Sequence, residues 1–139
     1  MTIEYKGIPV FFTDTGIGNP VVLLHGFLEN ATMWDHFIPK LSKNNRVICI
    51  DLLGHGNTGC LGYIHSMELM AEMVKAVMKH LKITKSIFVG HSMGGYVALA
   101  FIEMFPNDVS GLCLLNSTAL DDSAEKKENR DSAIIAVKQ

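Results

Sequence analysis

The sequence has little of what marks several large classes of protein. Only 12 of its 139 residues are Lys or Arg, and they are scattered, so no basic patch faces nucleic acid or an anionic membrane surface. No uninterrupted apolar run approaches the length needed to cross a bilayer. The first residues, Met1-Thr2-Ile3-Glu4-Tyr5-Lys6, lack a basic segment leading into a long apolar stretch, so neither a signal peptide nor an anchor is expected there. Cysteine is scarce. Cys49, Cys60 and Cys113 form an odd set without metal-ligand spacing, and Cys49 and Cys113 lie in apolar runs where a thiol packs, so all three are read as reduced and structural. Internal repeats and low-complexity tracts are missing. Together these absences leave a cytoplasmic protein acting on small molecules, with no nucleic-acid or membrane partner, as the expectation.

What the sequence does have is apolar content, 48% of residues in a chain of net charge −2, which is enough for one domain with a real core. The apolar residues come in two patterns. Val21-Val22-Leu23-Leu24, Val47-Ile48-Cys49-Ile50, Ser86-Ile87-Phe88-Val89 and Gly111-Leu112-Cys113-Leu114-Leu115 are short continuous runs, the signature of strands buried on both faces of a parallel sheet. Ile3–Tyr5 and Ile8–Thr13, split by Lys6-Gly7, predict a hairpin ahead of them.

Helical spacing fills the gaps. Met33, Trp34, Phe37, Ile38 and Leu41 predict a short helix broken near Pro39, and Met67 to Leu81 predicts an amphipathic helix capped by Ser66. An apolar helix is expected from Tyr96 to Phe105, stopped by Pro106. After Asn116 the composition turns charged from Asp121 to Asp131, which predicts a further helix beginning with the acidic pair Asp121 and Asp122. Strands alternating with helices predict an α/β fold, a three-layer α/β/α sandwich around a mostly parallel sheet, whose ligands bind at the carboxyl ends of the strands.

Two motifs sit at such ends. Gly90-His91-Ser92-Met93-Gly94 follows a buried strand and precedes an apolar helix, the setting in which Gly-x-Ser-x-Gly forms a strained turn presenting Ser92 as a nucleophile. The competing reading is a glycine turn whose serine caps the helix. His25-Gly26-Phe27 follows the strand ending at Leu24. Acyl transfer needs two N–H donors at the developing oxyanion, and the backbone N–H groups of Phe27 and Met93 are the candidates. His25 and His91 are read as structural hydrogen-bonders, with His91 pointing away from the side Ser92 faces.

With Asp51-Leu52-Leu53-Gly54-His55-Gly56 added, the three motifs in this order resemble the α/β-hydrolase superfamily, specifically its small esterase, lactonase and peroxidase-like members. The resemblance implies Ser92 as catalytic nucleophile toward esters, thioesters, lactones or related small acyl substrates. It implies an oxyanion hole from the Phe27 and Met93 N–H groups, no cofactor and no metal. It makes His25, Gly26, Gly90, His91, Gly94, Asp51, Gly54 and Gly56 motif or structural positions. In the superfamily the triad acid and histidine follow later strands, and by that analogy this sequence covers six of about eight core strands, with 1–120 as the amino-terminal part of the core and 121–139 as the start of a cap. His36, His65 and His80 fall on helices or their approaches, His55 lies on the sheet edge of interest, and Asp121 and Asp122 follow the sixth strand, where some relatives place an alternative acid.

The expectation is therefore a serine hydrolase with an incomplete triad, nearly inactive alone. Two alternatives are a non-catalytic binding or assembly module and a composite enzyme completed by a second polypeptide. The strand Gly111–Leu115, apolar on both faces and lacking an outer neighbour, is expected to drive homo-oligomer formation together with the C-terminal helix.

Overall fold

The computed structural model describes residues 1–137. The last two residues of the expected 121–139 segment lie outside the described residues. Six strands form one mixed sheet: β1 (Thr2–Tyr5), β2 (Ile8–Thr15), β3 (Asn19–Leu24), β4 (Asn45–Ile50), β5 (Ser86–His91) and β6 (Val109–Leu115), in the spatial order β1-β2-β4-β3-β5-β6. β1 and β2 are the expected antiparallel hairpin, and Lys6 and Gly7 at its tip take φ of 49° and 84°, the two consecutive positive values that match the twist of the flanking strands. β2 runs antiparallel to β4, while β4, β3, β5 and β6 are mutually parallel.

The apolar runs are continuous because both faces of the central strands are covered. Alternate residues Val22, Leu24, Ile48, Ile50 and Phe88 point to one side, where α2 (Met67–His80) and α3 (Met93–Met104) pack. Val21, Leu23, Val47 and Cys49 point to the other, against Ala31 and Trp34 of a 3₁₀ turn (Ala31–Trp34) and the short α1 (Ile38–Leu41). The expected broken helix is thus two pieces, with Pro39 in the first turn of α1, where its missing N–H costs nothing. Ser66 caps α2, its Oγ accepting the Leu69 N–H at 3.2 Å. On the α2/α3 side Phe88 and Phe101 meet with ring centroids 4.5 Å apart.

Three expectations need correction. α3 begins at Met93 rather than Tyr96, because Gly94 and Gly95 take helical backbone where the chain crosses close to β3 and β5. α4 (Ala124–Val137) begins after the acidic pair: Asp121 and Asp122 lie outside its first turn, and Asp122 pairs with Arg130 (Nε to Oδ2, 2.5 Å). Cys113 is exposed instead of packed: it lies on edge strand β6, on the same face as Val89, and the described cluster around Trp34 that covers that face does not extend over it. Cys49 is buried, which pushes its thiol up to about 11 and keeps it protonated. None of the described helices is long and apolar enough to cross a membrane.

Candidate active site

β4, β3 and β5 are adjacent and parallel, so the turns that follow them emerge at one edge of the sheet. Each turn is shaped by a glycine or a buried polar side chain.

The turn after β5 carries Ser92 at φ 49°, ψ −114°, a backbone state that costs a non-glycine residue of order 1–3 kcal/mol. Ser92 occupies the N-cap position of α3, yet its side chain makes no capping bond. That geometry removes the reading of Ser92 as a simple helix cap. The strain is held from two sides: the Ser92 N–H donates to Leu115 O (3.0 Å), and Ser117 Oγ donates to Ser92 O (2.8 Å). The flanking glycines are required by space. A Cβ on Gly94 would overlap the carbonyl oxygens of Leu24 and His25, and one on Gly90 would lie 2.6 Å from Gly95 Cα.

The turn after β3 comes directly against it. A Cβ on Gly26 would fall 3.2 Å from Ser92 Cβ and 3.0 Å from His91 Nδ1, so only glycine lets the two turns touch. His25 is fully buried. Its Nε2 accepts the Leu52 N–H (2.9 Å), which fixes the proton on Nδ1, and Nδ1–H donates to Gly26 O (2.7 Å). Burial lowers the His25 pKa below its ordinary 6.5, the bond to Gly26 O working against the shift and neighbouring His55 adding to it. With both ring nitrogens engaged, His25 has no lone pair to offer Ser92. It does orient the next peptide: the Gly26 carbonyl is held by His25, and in a trans peptide the Phe27 N–H points the opposite way. Among the described residues neither the Phe27 nor the Met93 N–H has an acceptor. Two free donors on adjoining turns are what an oxyanion requires.

The turn after β4 is a scaffold. Buried Asp51 accepts the Ala31 N–H on Oδ1 (2.7 Å) and the Asn57 N–H on Oδ2 (2.8 Å). Gly54 and Gly56 have φ of 75° and 54°, and a Cβ on Gly56 would run into the Asp51 carboxylate. His55 packs at a tilt against His25 (centroids 5.2 Å apart) and edge-on against Phe27 (5.8 Å), and its Nδ1 lies 2.9 Å from Leu53 O.

Two participants escaped the sequence reading. Glu29 Oε2 accepts the Gly26 N–H (2.6 Å) and the His91 Nδ1–H (2.8 Å), tying the β3 turn to the β5 turn. Burial works against ionisation of Glu29, but the Gly26 N–H and His91 outweigh it and hold its pKa below the usual carboxylate range. Ser117, which supports Ser92, was the other; a serine just past a strand end carries no local signal of such a contact. Of the remaining histidines, His65 accepts the Leu61 N–H on Nε2 (2.9 Å). Among the described residues none hydrogen-bonds the Ser92 hydroxyl, and no cluster of three or more His, Cys, Asp or Glu is arranged to hold a metal. A shallow cleft between α3 and the approach to α4, lined by Tyr96, Leu99, Thr118, Leu120, Asp122 and Arg130, stops short of Ser92.

A family model for the alpha/beta hydrolase fold matches residues 19–136. The chain is similar to a thermophilic esterase from Thermogutta terrifontis, with 40% identity and a TM-score of 0.83 over 93% of this chain and 48% of that one. It is 35% identical over 118 residues to 2-hydroxy-6-oxo-2,4-heptadienoate hydrolase of Pseudomonas putida, covering 82% of this chain and 43% of the relative. It is also 37% identical over 106 residues to the dihydrolipoyllysine-residue acetyltransferase component of the acetoin cleaving system of Pseudomonas putida, covering 76% and 29%. The chain therefore spans less than half the length of each of these relatives. Since the family match runs through both turns that meet at Ser92, the chain belongs to the alpha/beta hydrolase family.

Proposed function

We propose that the chain carries the nucleophile and the oxyanion hole of a serine hydrolase acting on a small ester or related acyl substrate. The observation that carries this reading is Ser92 itself: positive φ, no capping bond, and a glycine-only contact with the turn that bears the free Phe27 N–H. In the forward step Ser92 Oγ attacks the acyl carbonyl, its proton passes to a general base, and the carbonyl oxygen becomes an oxyanion received by the Phe27 and Met93 N–H groups. Collapse expels the alcohol and leaves an acyl-serine, which water hydrolyses by the same route. The relatives named as an esterase and a hydrolase support acyl chemistry; the acetyltransferase relative has an acceptor other than water implied by its name.

The base and its acid partner lie outside the groups described around Ser92. A longer parent polypeptide or a second chain supplies them in this reading. Removing a triad member costs on the order of 10⁴ in rate or more, while the oxyanion hole keeps a residue of catalysis. A short-chain aryl ester tests the assignment. The 139-residue chain is expected to turn it over only slowly and to carry a covalent acyl group on Ser92, read by mass spectrometry of the quenched reaction and absent from Ser92→Ala. Acylation at another residue, or none beyond that of Ser92→Ala, contradicts the assignment.

A further inference from the structure

The turn from Gly26 to Glu29 has little to hold it by packing. Phe27 is 60% exposed and Leu28 79% exposed, and Leu28 sits at φ 60°, a left-handed state that suits glycine better than a γ-branched residue. The Glu29 N–H closes the turn onto Gly26 O at 3.3 Å, a long bond. His25 fixes the Gly26 carbonyl from the β3 side (2.7 Å) and Phe27 meets the His55 ring, but the hydrogen bond that reaches across to the elbow ends on the Glu29 side chain. Its single oxygen Oε2 accepts one bond from within the turn, at Gly26 N, and one from outside it, at Nδ1 of His91. A carboxylate only accepts, so His91 carries its proton on Nδ1. His91 is the residue immediately before Ser92, and the Met93 N–H is immediately after.

We propose that Glu29 is a positioning residue that clamps the Phe27 donor and the Ser92–Met93 elbow into one rigid acyl-binding unit through the bonds it accepts from Gly26 and His91. The inference rests on the reading of Ser92 as nucleophile. Without the clamp His25 still orients the Gly26–Phe27 peptide and the two turns still touch at Gly26, but no hydrogen bond from the Glu29 side chain ties the turn that bears the Phe27 donor to the elbow. With it, both donors are referenced to the same carboxylate oxygen. Gly26 fits this role, because a Cβ there would lie 2.6 Å from Glu29 Oε2.

The test is the rate at which an alkyl fluorophosphonate labels Ser92 in the full 139-residue chain, a reaction that places a phosphoryl oxygen in the oxyanion hole. In a chain with no base on Ser92 the oxyanion donors carry what acceleration remains, so the rate is sensitive to their aim. Complete loss of one such donor typically costs 10²–10³ in rate, so a misaimed donor in Glu29→Ala is expected to slow labelling about tenfold, in the maximal rate rather than in the half-saturating probe concentration. Glu29→Gln keeps an oxygen that accepts from both donors and is expected to restore labelling to within about threefold of wild type. Glu29→Asp keeps the charge, shortens the reach by one methylene and is expected to behave like Glu29→Ala. Amide NMR supplies a readout independent of the chemistry: the Gly26 and Met93 signals move together in Glu29→Asp and return in Glu29→Gln.

If wild type is labelled and Glu29→Ala and Glu29→Asp are labelled equally fast, the positioning role is overturned while the nucleophile reading stands. A Gln variant as slow as Ala, or a Met93 amide indifferent to Glu29, likewise overturns it. Wild type labelled no faster than Ser92→Ala overturns the nucleophile reading, and the clamp with it.

Discussion

α2 and α4 are each fourteen residues long, and they live in different environments. α2 starts on a serine cap, ends in Lys79 and His80, which suit the negative end of the helix dipole, and buries Met70, Ala71, Met73, Val74, Val77 and Met78 against the sheet. α4 is exposed along Ala124–Ala136 and is tethered by Arg130, which reaches Asp122 and the Tyr96 hydroxyl. Ile134 and Ile135 remain half or more exposed on it. The contrast extends to the strands beneath. β3 and β4 are covered on both faces; β5 buries Phe88 on the α2/α3 side but leaves Ile87 exposed, and β6 leaves Leu112, Cys113 and Leu115 exposed. The elbow stands at the boundary between the covered and the open strands: β5 presents Ser92, and Leu115 and Ser117 on the more open β6 side hold it. A helix former is not a stable helix by composition alone, and what separates these two is an apolar face with a partner.

The sharpest way to break that comparison is to truncate one residue on each helix. Met73→Ala, in a fully buried position, is expected to cost about 2–5 kcal/mol, and Ile134→Ala less than about 0.5 kcal/mol. Urea unfolding midpoints at constant slope measure both. Comparable losses would mean that α4 is packed in solution and that the two sides do not differ as described.

A smaller effect comes from the elbow itself. Gly94→Ala sets a methyl against the Leu24 and His25 carbonyls, and overpacking of this kind costs about 1–3 kcal/mol. Gly62→Ala is a control at a glycine with positive φ but open surroundings, where only backbone strain of about 1 kcal/mol applies. Equal losses would show that the close approach of β3 to α3 is not what fixes Gly94.

The smallest expected effect is a pH dependence. The folded-state pKa of His25 lies below its ordinary 6.5, so the unfolded chain takes up a proton that the folded chain refuses. The stabilisation from neutral His25 is complete above about pH 6.5 and is lost as pH falls toward the folded value. The thermal midpoint should therefore be lower at pH 5.5 than at pH 7.5. A midpoint that rises on acidification would contradict the neutral, doubly bonded His25.

Much of this arrangement is legible in the sequence, and the reasons are local. The runs at Val21–Leu24 and Val47–Ile50, the Lys6-Gly7 turn and the Ser66 cap are all set by neighbours a few residues apart, and each appears where periodicity puts it. The start of α3 does not, because Gly94 and Gly95 look like breakers and are helical only through the close approach of β3 and Ser117. Cys113 misleads for a related reason: an apolar run says that a strand wants cover, and gives no information on whether cover is present. The Glu29–His91 contact joins residues 62 apart, and a lone glutamate four positions after a histidine has no pattern to set it apart from a surface residue. Sequence logic reads the turns and misses what clamps them to each other.

The most direct test of the central claim is to react the chain with an alkyl fluorophosphonate and locate the adduct by peptide mass spectrometry. A single phosphonyl group on Ser92, absent from Ser92→Ala, is the predicted result. An adduct on neighbouring Ser117 or elsewhere, or one that forms equally in Ser92→Ala, would contradict it.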